Sequence, residues 1–248
     1  MQYGKLKKPE KTGDKMKKWL SRLIIAVVLI AGGIIAYMFA LYGLMSEVSQ
    51  GAPISGHDPQ KAALLVIDVQ ESLTGRLATG FSAGMKAQSE GLVTAINKTV
   101  AWAEANRIPI VYIRQENTDF IYNLATGAML AKGSPGAEID GRIKISGANI
   151  FGKQKMDAFT NRELDDYMRS RGVGRLYVTG LDAEYCVDRT IKGGLARGYK
   201  VTAVKDAIIS STPEKRDKKI ADYAAGGVRI INSDEFSVEG NDSVLSQK

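Results

Sequence analysis

The chain of 248 residues contains a single cysteine, Cys186, within the stretch VTGLDAEYCVDRT. A lone cysteine forms no disulfide within its chain, so it is a buried apolar group, a surface thiol or a nucleophile. The apolar run Arg175–Gly180 predicts a strand before it, and Val187–Arg197 has a helical pattern after it. Cys186 is therefore expected at a helix N-terminus, where amides and the helix dipole stabilise a thiolate. Spacing alone leaves the structural and the nucleophilic interpretations equally open.

A second polar residue, Asp68, follows the apolar run Ala63–Ile67. In open parallel sheets, ligands bind beyond the carboxyl ends of the strands, which is where this residue is expected. A carboxylate at that place is costly to bury unless it is paired. The alternative, in which Asp68 only caps the next helix, is equally compatible with the spacing.

Several other chemistries are excluded by residue counts. His57 is the only histidine and lies before the folded part, so neither a Cys–His nor a Ser–His pair can form in the core. One histidine and one cysteine also exclude zinc or iron sites that need several such ligands, and no phosphate-binding glycine motif is present. We therefore expect no metal and no cofactor. A base for Cys186 has to be a carboxylate, and a stabilising cation has to be lysine or arginine.

From Ala62 onward, short apolar runs alternate with helical stretches. This rhythm predicts an α/β fold, with a Rossmann-like doubly wound parallel sheet flanked by helices. The predicted strands are Ala63–Ile67, Ile108–Ile113, Arg175–Gly180, Tyr199–Val204 and Val228–Ile231, and the predicted helices are Gly91–Arg107, Arg162–Gly172, Val187–Arg197 and Lys215–Ala225. The long glycine-rich segment 115–161 interrupts the rhythm and is expected to cover the substrate.

The N-terminal region predicts a single transmembrane helix. Residues 1–22 carry +6 of the net charge of +7, so binding of nucleic acid by the folded part is not expected. Residues 23–45 contain no charged side chain and are long enough to cross a bilayer of about 30 Å. A cleaved signal peptide is the alternative, but the apolar run is longer than about 15 residues and no clear A-x-A site follows.

Charge bias predicts the orientation and the organisation of the chain. The basic tail at residues 1–22 is expected in the cytoplasm, and the C-terminal domain outside it, in the periplasm if the cell is Gram-negative. Residues 46–61 are predicted to be a linker, 62–235 the folded domain and 236–248 a C-terminal tail. Membrane lipid around residues 23–45 is the first expected partner.

Four segments in order resemble the isochorismatase-like cysteine hydrolases. These are ALLVIDVQ, KQKMDAFTNREL, LYVTGLDAEYCVDRT and RGYKVTAVKDA, and GSPGAEID resembles the family's glycine-proline turn. The family includes nicotinamidases, carbamoylsarcosine-type and ureidoacrylate-type amidases, and isochorismatases. The similarity covers about residues 60–235.

The resemblance implies a catalytic triad of Asp68, Lys153 and Cys186. Asp68 matches the aspartate that takes the thiol proton, and Cys186 matches the nucleophile, which forms a thioester that water hydrolyses. Lys153 matches the lysine that holds the thiolate and orients the aspartate, with Lys155 as a rival. A cis peptide is implied at Leu181–Asp182, with the backbone amides of Asp182 and Cys186 as the oxyanion hole.

Other positions concern specificity. Gln70, Phe120, Tyr122 and Phe151 are candidates for the substrate pocket, although the aromatic residues are as compatible with packing the loop. Nicotinamidases have metal-binding histidines after the second strand, where this chain has Arg114-Gln115-Glu116, so a metal-dependent nicotinamidase is not expected. Further departures from the family pattern are Ala183 for threonine, Gly193-Gly194 for Asp-Ala, and Asp157 for serine.

Two functions follow as hypotheses. The first is a membrane-anchored cysteine hydrolase that cleaves a small amide, ureide or related substrate. The second is a weak or inactive domain of the same family that serves as an interaction module in a membrane-associated envelope complex. Self-association or a membrane-complex partner is compatible with both. Activation of Cys186 distinguishes them.

Overall fold

The computed structural model describes residues 12–147 and 149–236. The chain divides into two compact units, residues 1–43 and 44–248. The first part of the predicted basic tail, residues 1–11, and nearly all of the predicted C-terminal tail, from residue 237, lie outside the described residues.

The described part of the first unit lies in one long helix. Helix α1 spans Thr12–Met45, so it begins eleven residues before the predicted span because the basic residues after Thr12 continue the same helix. Its segment Lys15–Met45 is long and apolar enough to cross a membrane by length and composition, with a mean hydropathy of 2.7 in its most apolar window. Signal sequences meet the same criterion.

The second unit is built on a six-stranded parallel sheet in the order β3-β2-β1-β4-β5-β6. The strands are β1 (Asp58–Ile67), β2 (Ile110–Gln115), β3 (Ile150–Lys153), β4 (Val173–Gly180), β5 (Lys200–Ile208) and β6 (Arg229–Ile231). The helices are α2 (Ala83–Ala105), α3 (Phe120–Ala125), α4 (Arg162–Ser170), α5 (Cys186–Ala196) and α6 (Pro213–Ala225). This architecture confirms the predicted doubly wound α/β fold.

Alternate side chains of the central strands pack into two separate apolar cores, one on each face of the sheet. In β1, Leu65 and Ile67 face the core that contains apolar residues of α4, α5 and α6. Leu64 and Val66 face the opposite core, which is formed with α2. Because both faces are covered, the strand has no polar position between Ala62 and Ile67, as expected for a parallel sheet.

Two elements were not predicted from the sequence. Strand β3 has only four residues and lies at the sheet edge, with Ile150 exposed, so it lacks the long apolar run that reveals a central strand. Helix α3 has six residues and none of them is buried, so it has no apolar stripe facing the core. Both lie within 115–161, which was predicted as a covering loop.

The prediction of a linker at residues 46–61 is wrong. Residues 58–61 already belong to β1, and Ile54 is buried in the core of the α4–α6 face. The Ile54 amide donates to the Arg197 carbonyl at 2.9 Å, and His57 Nδ1 lies 2.7 Å from the Val173 carbonyl oxygen. We call residues 45–57 the strap. Their glycine, serine and proline content suggested a linker, but composition does not reveal hydrogen bonds to distant residues.

An ion pair between the partly exposed Arg142 and a buried carboxylate holds part of the covering segment in place and predicts sensitivity to acid. Asp140 is 1% exposed, and Arg142 contacts it through two nitrogens and also donates to the Thr74 carbonyl. Burial alone would raise the pKa of Asp140, but hydrogen bonds from Arg142 and Thr74 hold it below its usual value. A carboxyl whose pKa is lowered by folding stabilises the protein above its unfolded pKa of about 3.9 and loses this contribution as the pH falls through its folded value.

We therefore expect Arg142→Met to lower the free energy of unfolding by about 3 kcal/mol at pH 7, since it leaves a buried carboxylate unpaired. This loss should shrink as the pH falls, because the unpaired, buried Asp140 of the variant takes up a proton first, and it should vanish only below the lowered pKa of Asp140 in the wild type. Urea unfolding between pH 3 and pH 7 measures the difference. Arg76→Met is the control, because Arg76 is largely exposed. A loss that does not depend on pH would contradict the assignment.

Candidate active site

The candidate site lies where the strand order reverses around β1. Asp68 directly follows β1, and Gly180 ends the neighbouring strand β4. Asp68 has φ 55°, a conformation uncommon for residues other than glycine, and its amide donates to the Ile113 carbonyl at 2.8 Å. Gly180 has φ 110°, and a Cβ there would lie 2.0 Å from the Ile67 carbonyl oxygen, so only glycine fits. The peptide bond Leu181–Asp182 is cis, at the position that the family resemblance implied.

Lys153 connects the predicted triad. Its ammonium nitrogen lies 2.9 Å from Asp68 Oδ2, 2.7 Å from Gln115 Oε1 and 3.3 Å from Cys186 Sγ. These three contacts match the three N–H groups of an ammonium. Burial would lower the pKa of Lys153, but the negative charge of Asp68 and the contact with Cys186 raise it above its usual value. Lys153 is therefore a cation in the folded protein. The rival Lys155 is partly exposed and pairs with Glu47.

Cys186 is the first residue of α5, as predicted, and its side chain is half-buried. Burial raises the pKa of its thiol, and Asp68 raises it further, while Lys153 lowers it only in part. The reason is that Asp68 already neutralises the charge of Lys153, so a thiolate would add an unbalanced negative charge to a buried site. In the resting site these effects favour the protonated thiol, whereas the family resemblance implies a thiolate held by Lys153.

One carboxylate oxygen of Asp68 is not used by Lys153. The residue is 2% exposed, and while Oδ2 accepts from Lys153, Oδ1 is buried without a hydrogen-bond partner among the described residues. A buried carboxylate oxygen without a donor is unfavourable and has capacity for one more hydrogen bond. Transfer of a proton from Cys186 to Asp68 leaves the net charge of the three groups unchanged, so it avoids the penalty for an isolated thiolate.

Two backbone amides beside the thiol are free. Within residues 12–147 and 149–236, neither the Asp182 nor the Cys186 amide donates a hydrogen bond. Every other amide of this turn has an acceptor, namely those of Leu181, Ala183, Glu184, Tyr185 and Val187. The free pair is the pair predicted as the oxyanion hole. Such donors stabilise a developing oxyanion, commonly by about 3–4 kcal/mol each.

Gln115, the last residue of β2, has a role that was not predicted from the sequence. Its Oε1 accepts from Lys153, and its Nε2 donates to Asn117 Oδ1 at 2.7 Å and to the Gln154 carbonyl at 2.9 Å. The amide is therefore fixed with its oxygen toward the ammonium. Its position at the carboxyl end of a strand, beside Asp68 and Lys153, is the feature of the sequence that could have indicated a place in the site.

We expect Gln115→Met to lower the free energy of unfolding by about 1–3 kcal/mol, because one N–H of the buried Lys153 then lacks an acceptor. Methionine keeps the length of the side chain, so the packing changes little. Chemical denaturation measures the loss. Gln154→Met is the matched control, since Gln154 is exposed and its side chain bonds to Thr118. Equal stabilities of the two variants would contradict the role given to Gln115.

The four predicted pocket residues separate into different environments. Gln70 is fully buried, and its side-chain amide bonds to the backbone of Gln115 and Ala137, so in this structure it braces the backbone rather than facing an open pocket. Phe151 is half-buried and packs against the apolar core, with its ring 5.6 Å from that of Tyr167, in agreement with the packing alternative.

Helix α3 carries the other two. Phe120 is 78% exposed, so it does not line a closed pocket in this structure. Tyr122 is half-buried, and its pKa is raised by burial and by the negative charge of a Cys186 thiolate and lowered by Lys153. This electrostatic coupling indicates that Tyr122 lies near Cys186 and Lys153.

The place of the nicotinamidase metal site does not fit a cation here. Arg114 pairs with Glu116 at 2.7 Å and Glu138 at 2.5 Å, and Gln115 serves Lys153. Across the described part of the chain, no group of three or more histidine, cysteine, aspartate or glutamate residues is arranged to hold a metal.

Comparison with known proteins agrees with this geometry. The family model described as "Isochorismatase domain" matches residues 62–235, the bounds predicted for the folded domain. The chain belongs to the isochorismatase family. A relative within it, ureidoacrylate amidohydrolase RutB of Methylobacterium radiotolerans, is 30% identical over 182 residues, which are 63% of this chain and 70% of that protein. A protein of Arabidopsis thaliana described as a probable inactive nicotinamidase is 25% identical over 193 residues, 73% of this chain and 96% of its own.

Solved structures of the isochorismatase family share the fold. The family protein from Desulfovibrio vulgaris has a TM-score of 0.63 and 25% identity, covering 75% of this chain and 98% of its own. N-carbamoylsarcosine amidase from Thermoplasma acidophilum has a TM-score of 0.59 and 26% identity, covering 71% and 98%. With such relatives, the chain is an enzyme of the hydrolase class.

Proposed function

We propose that the chain is a membrane-anchored cysteine hydrolase that cleaves a small amide, ureide or related substrate with Asp68, Lys153 and Cys186. One observation carries the proposal. A buried ammonium lies within 2.9 Å of a carboxylate and 3.3 Å of a half-buried thiol, and two free amides lie in the turn that contains the thiol.

The reaction follows from the positions of these groups. The Cys186 thiol gives its proton to Asp68 as the sulfur attacks the carbonyl carbon, and the oxyanion accepts hydrogen bonds from the Asp182 and Cys186 amides. The tetrahedral adduct collapses to a thioester, and the leaving nitrogen takes the proton from Asp68. A water molecule then attacks the thioester and gives a proton to Asp68, which returns it to the sulfur. Lys153 keeps its charge and holds Asp68 and the sulfur in place throughout.

The substrate class rests on the relatives. Ureidoacrylate amidohydrolase and N-carbamoylsarcosine amidase are named for small amide or ureide substrates. Asp68 and Lys153 are buried and Cys186 is half-buried, which suits a small carbonyl group better than a polymer. Tyr122 is the aromatic residue best placed to contact the substrate.

The test is hydrolysis by the full chain in detergent. We expect release of ammonia or amine from at least one member of a panel of ureidoacrylate, carbamoylated amino acids and small primary amides, and no release with Cys186→Ala. Labelling with a thiol-reactive fluorescent reagent under native conditions measures the fraction of the protein in which Cys186 is accessible. An accessible thiol without turnover on any member would contradict the proposed substrate class.

The membrane topology is part of the proposal. The length and hydropathy of α1 and the eight cations before residue 23 support a cytoplasmic N-terminus and an extracytoplasmic C-terminal domain. External protease added to intact spheroplasts should digest the domain. Protection of the domain until the membrane is lysed would overturn the orientation.

The second candidate, an interaction module with little activity, is favoured by one observation. The pKa of the thiol is raised rather than lowered, and a module without catalysis has no need of a reactive thiol. It predicts no turnover on any panel member and the same slow alkylation of Cys186 in the wild type and in Asp68→Asn.

A further inference from the structure

The strap, residues 45–57, lies outside the segment that matches the family model and is nevertheless bonded to the domain. Its central contact is Ser49. The Ser49 amide and hydroxyl donate to Asp157 Oδ2 at 2.8 and 2.6 Å, and Arg197 Nη1 donates to the Ser49 carbonyl and hydroxyl at 3.1 and 3.0 Å. Ser49 therefore bridges an acid and a base on the domain.

Both charged partners are buried. Asp157 is 0% exposed and Arg197 is 2% exposed. Burying a charge is costly unless the group is paired and hydrogen-bonded. Ser49 supplies two of the three hydrogen bonds that the Asp157 carboxylate accepts among the described residues, and the third comes from the Phe159 amide. Asp157 is thus adapted to a docked strap.

Two glycines make room for this contact. A Cβ on Gly193 would lie 2.3 Å from Asp157 Oδ2, and a Cβ on Gly51 would lie 2.5 Å from the Arg197 guanidinium. Asp157 and Gly193 are two of the positions at which the sequence departs from the family pattern. The strap gives both departures one physical reason, because the acid needs the space that the glycine leaves.

The strap also bonds to the two elements that carry Lys153 and Cys186. The Met156 amide, three residues after Lys153, donates to the Met45 carbonyl at 2.8 Å. Arg189 Nε, in the first turn of α5, donates to the Ser46 carbonyl at 2.8 Å. Consecutive strap residues therefore connect the segment after the ammonium to the helix that begins with the thiol.

We propose that the strap positions the catalytic pair, with Ser49 and Asp157 as the positioning residues that hold it. The proposal rests on the proposed function, in which the contact between Lys153 and Cys186 serves hydrolysis. When the strap is released, the loop 154–157 and the start of α5 lose their shared support and this contact lengthens. A small displacement at a reacting group is enough to cost about 100-fold in rate.

The test uses the pH dependence of Cys186 alkylation by iodoacetamide in the full chain. The chain has one cysteine, so the reaction reports this thiol alone and needs no substrate. We expect Ser49→Ala to slow alkylation at pH 8 about tenfold and to move the profile to higher pH, because Lys153 then stabilises the thiolate less. Ser49→Thr, which keeps the hydroxyl, should restore the profile. Ser55→Ala is the matched control, since Ser55 is an exposed strap residue.

Asp157→Ser is the second variant. The family resemblance implies serine at this position, so the substitution is expected to be compatible with the fold, and an effect on the thiol would not be due to misfolding. Asp157→Ser should shift the profile in the same direction as Ser49→Ala. Faster cleavage after Glu47 by a glutamate-specific protease in a variant than in the wild type reports release of the strap. A strap that is released while the alkylation profile stays that of the wild type would overturn the proposal. Because alkylation requires no turnover, failure to find a substrate would not produce that result.

Discussion

Replacing Asp68 by asparagine is expected to make Cys186 more reactive toward iodoacetamide while hydrolysis falls by about 10²–10⁴-fold. Burial and the Asp68 carboxylate both raise the pKa of the thiol, and Lys153 opposes them. Asparagine removes the negative charge and leaves Lys153 to pair with the sulfur. The pKa of the thiol should therefore fall, and more thiolate should be present at neutral pH. Asparagine cannot carry the proton between sulfur, leaving nitrogen and water, so the hydrolytic cycle loses its base and acid.

Opposite changes in the two rates distinguish this role from general damage to the site. Alkylation rates between pH 5 and pH 9, together with turnover of the best substrate, provide the measurement. Glu116→Gln is the control, because it also removes a carboxylate near the end of β2, but one that pairs with Arg114. Slower alkylation in Asp68→Asn than in the wild type would mean that Asp68 does not raise the pKa of the thiol, and the proposed proton transfer would fail.

Most of the fold could be predicted because its central strands have simple patterns. Strand β1 is covered on both faces, so its buried part appears in the sequence as one apolar run. The edge strand β3 could not be found in this way, since its four residues contact the sheet on one side only. The docking of the strap on the domain could not be predicted for a related reason. Its stability comes from contacts with residues more than 100 positions away, such as Asp157 and Arg197, and local composition does not record them.

The sequence indicated which residues lie in the candidate site, but it did not indicate the charge state of the thiol. The strand ends indicated Asp68 and Cys186, while Lys153 came from the resemblance, and the structure brings these three together. The charge state of the thiol depends on how one cation is shared between two acidic groups. That balance follows from distances and burial, which spacing does not give. Burial and Asp68 raise the pKa of the thiol, against the thiolate that the resemblance implies.

Gln115 is a second residue whose interactions could not be predicted from its position in the sequence. At the sequence level it was noted only as a replacement for metal-binding histidines. In the structure it supplies the third acceptor of Lys153. A polar residue at the end of a strand therefore indicates where the active site lies, but its hydrogen-bond partner is known only from the structure.

Lys153→Met is expected to abolish detectable hydrolysis and to destabilise the protein by about 3–5 kcal/mol at pH 7, the cost of leaving a buried carboxylate without its partner. Asp68 and Cys186 would then lie together without a cation. The pKa of the thiol should rise further, because Lys153 is the group that lowers it, so alkylation should also be slower than in the wild type. Asp68→Asn and Lys153→Met are therefore expected to change the reactivity of Cys186 in opposite directions while both reduce turnover.

Lys155→Met is the matched control for this variant, since it removes the same charge two residues further along. Lys155 pairs with Glu47 at a partly exposed site, and such pairs contribute about 0–1 kcal/mol. Its unfolding free energy and thiol reactivity should lie close to those of the wild type. Urea denaturation and the alkylation profile, compared across the two lysine variants, decide between the two candidates. If Lys155→Met were the variant with slow alkylation, the ammonium that stabilises the thiolate during attack would be that of Lys155, and the triad would have to be reassigned.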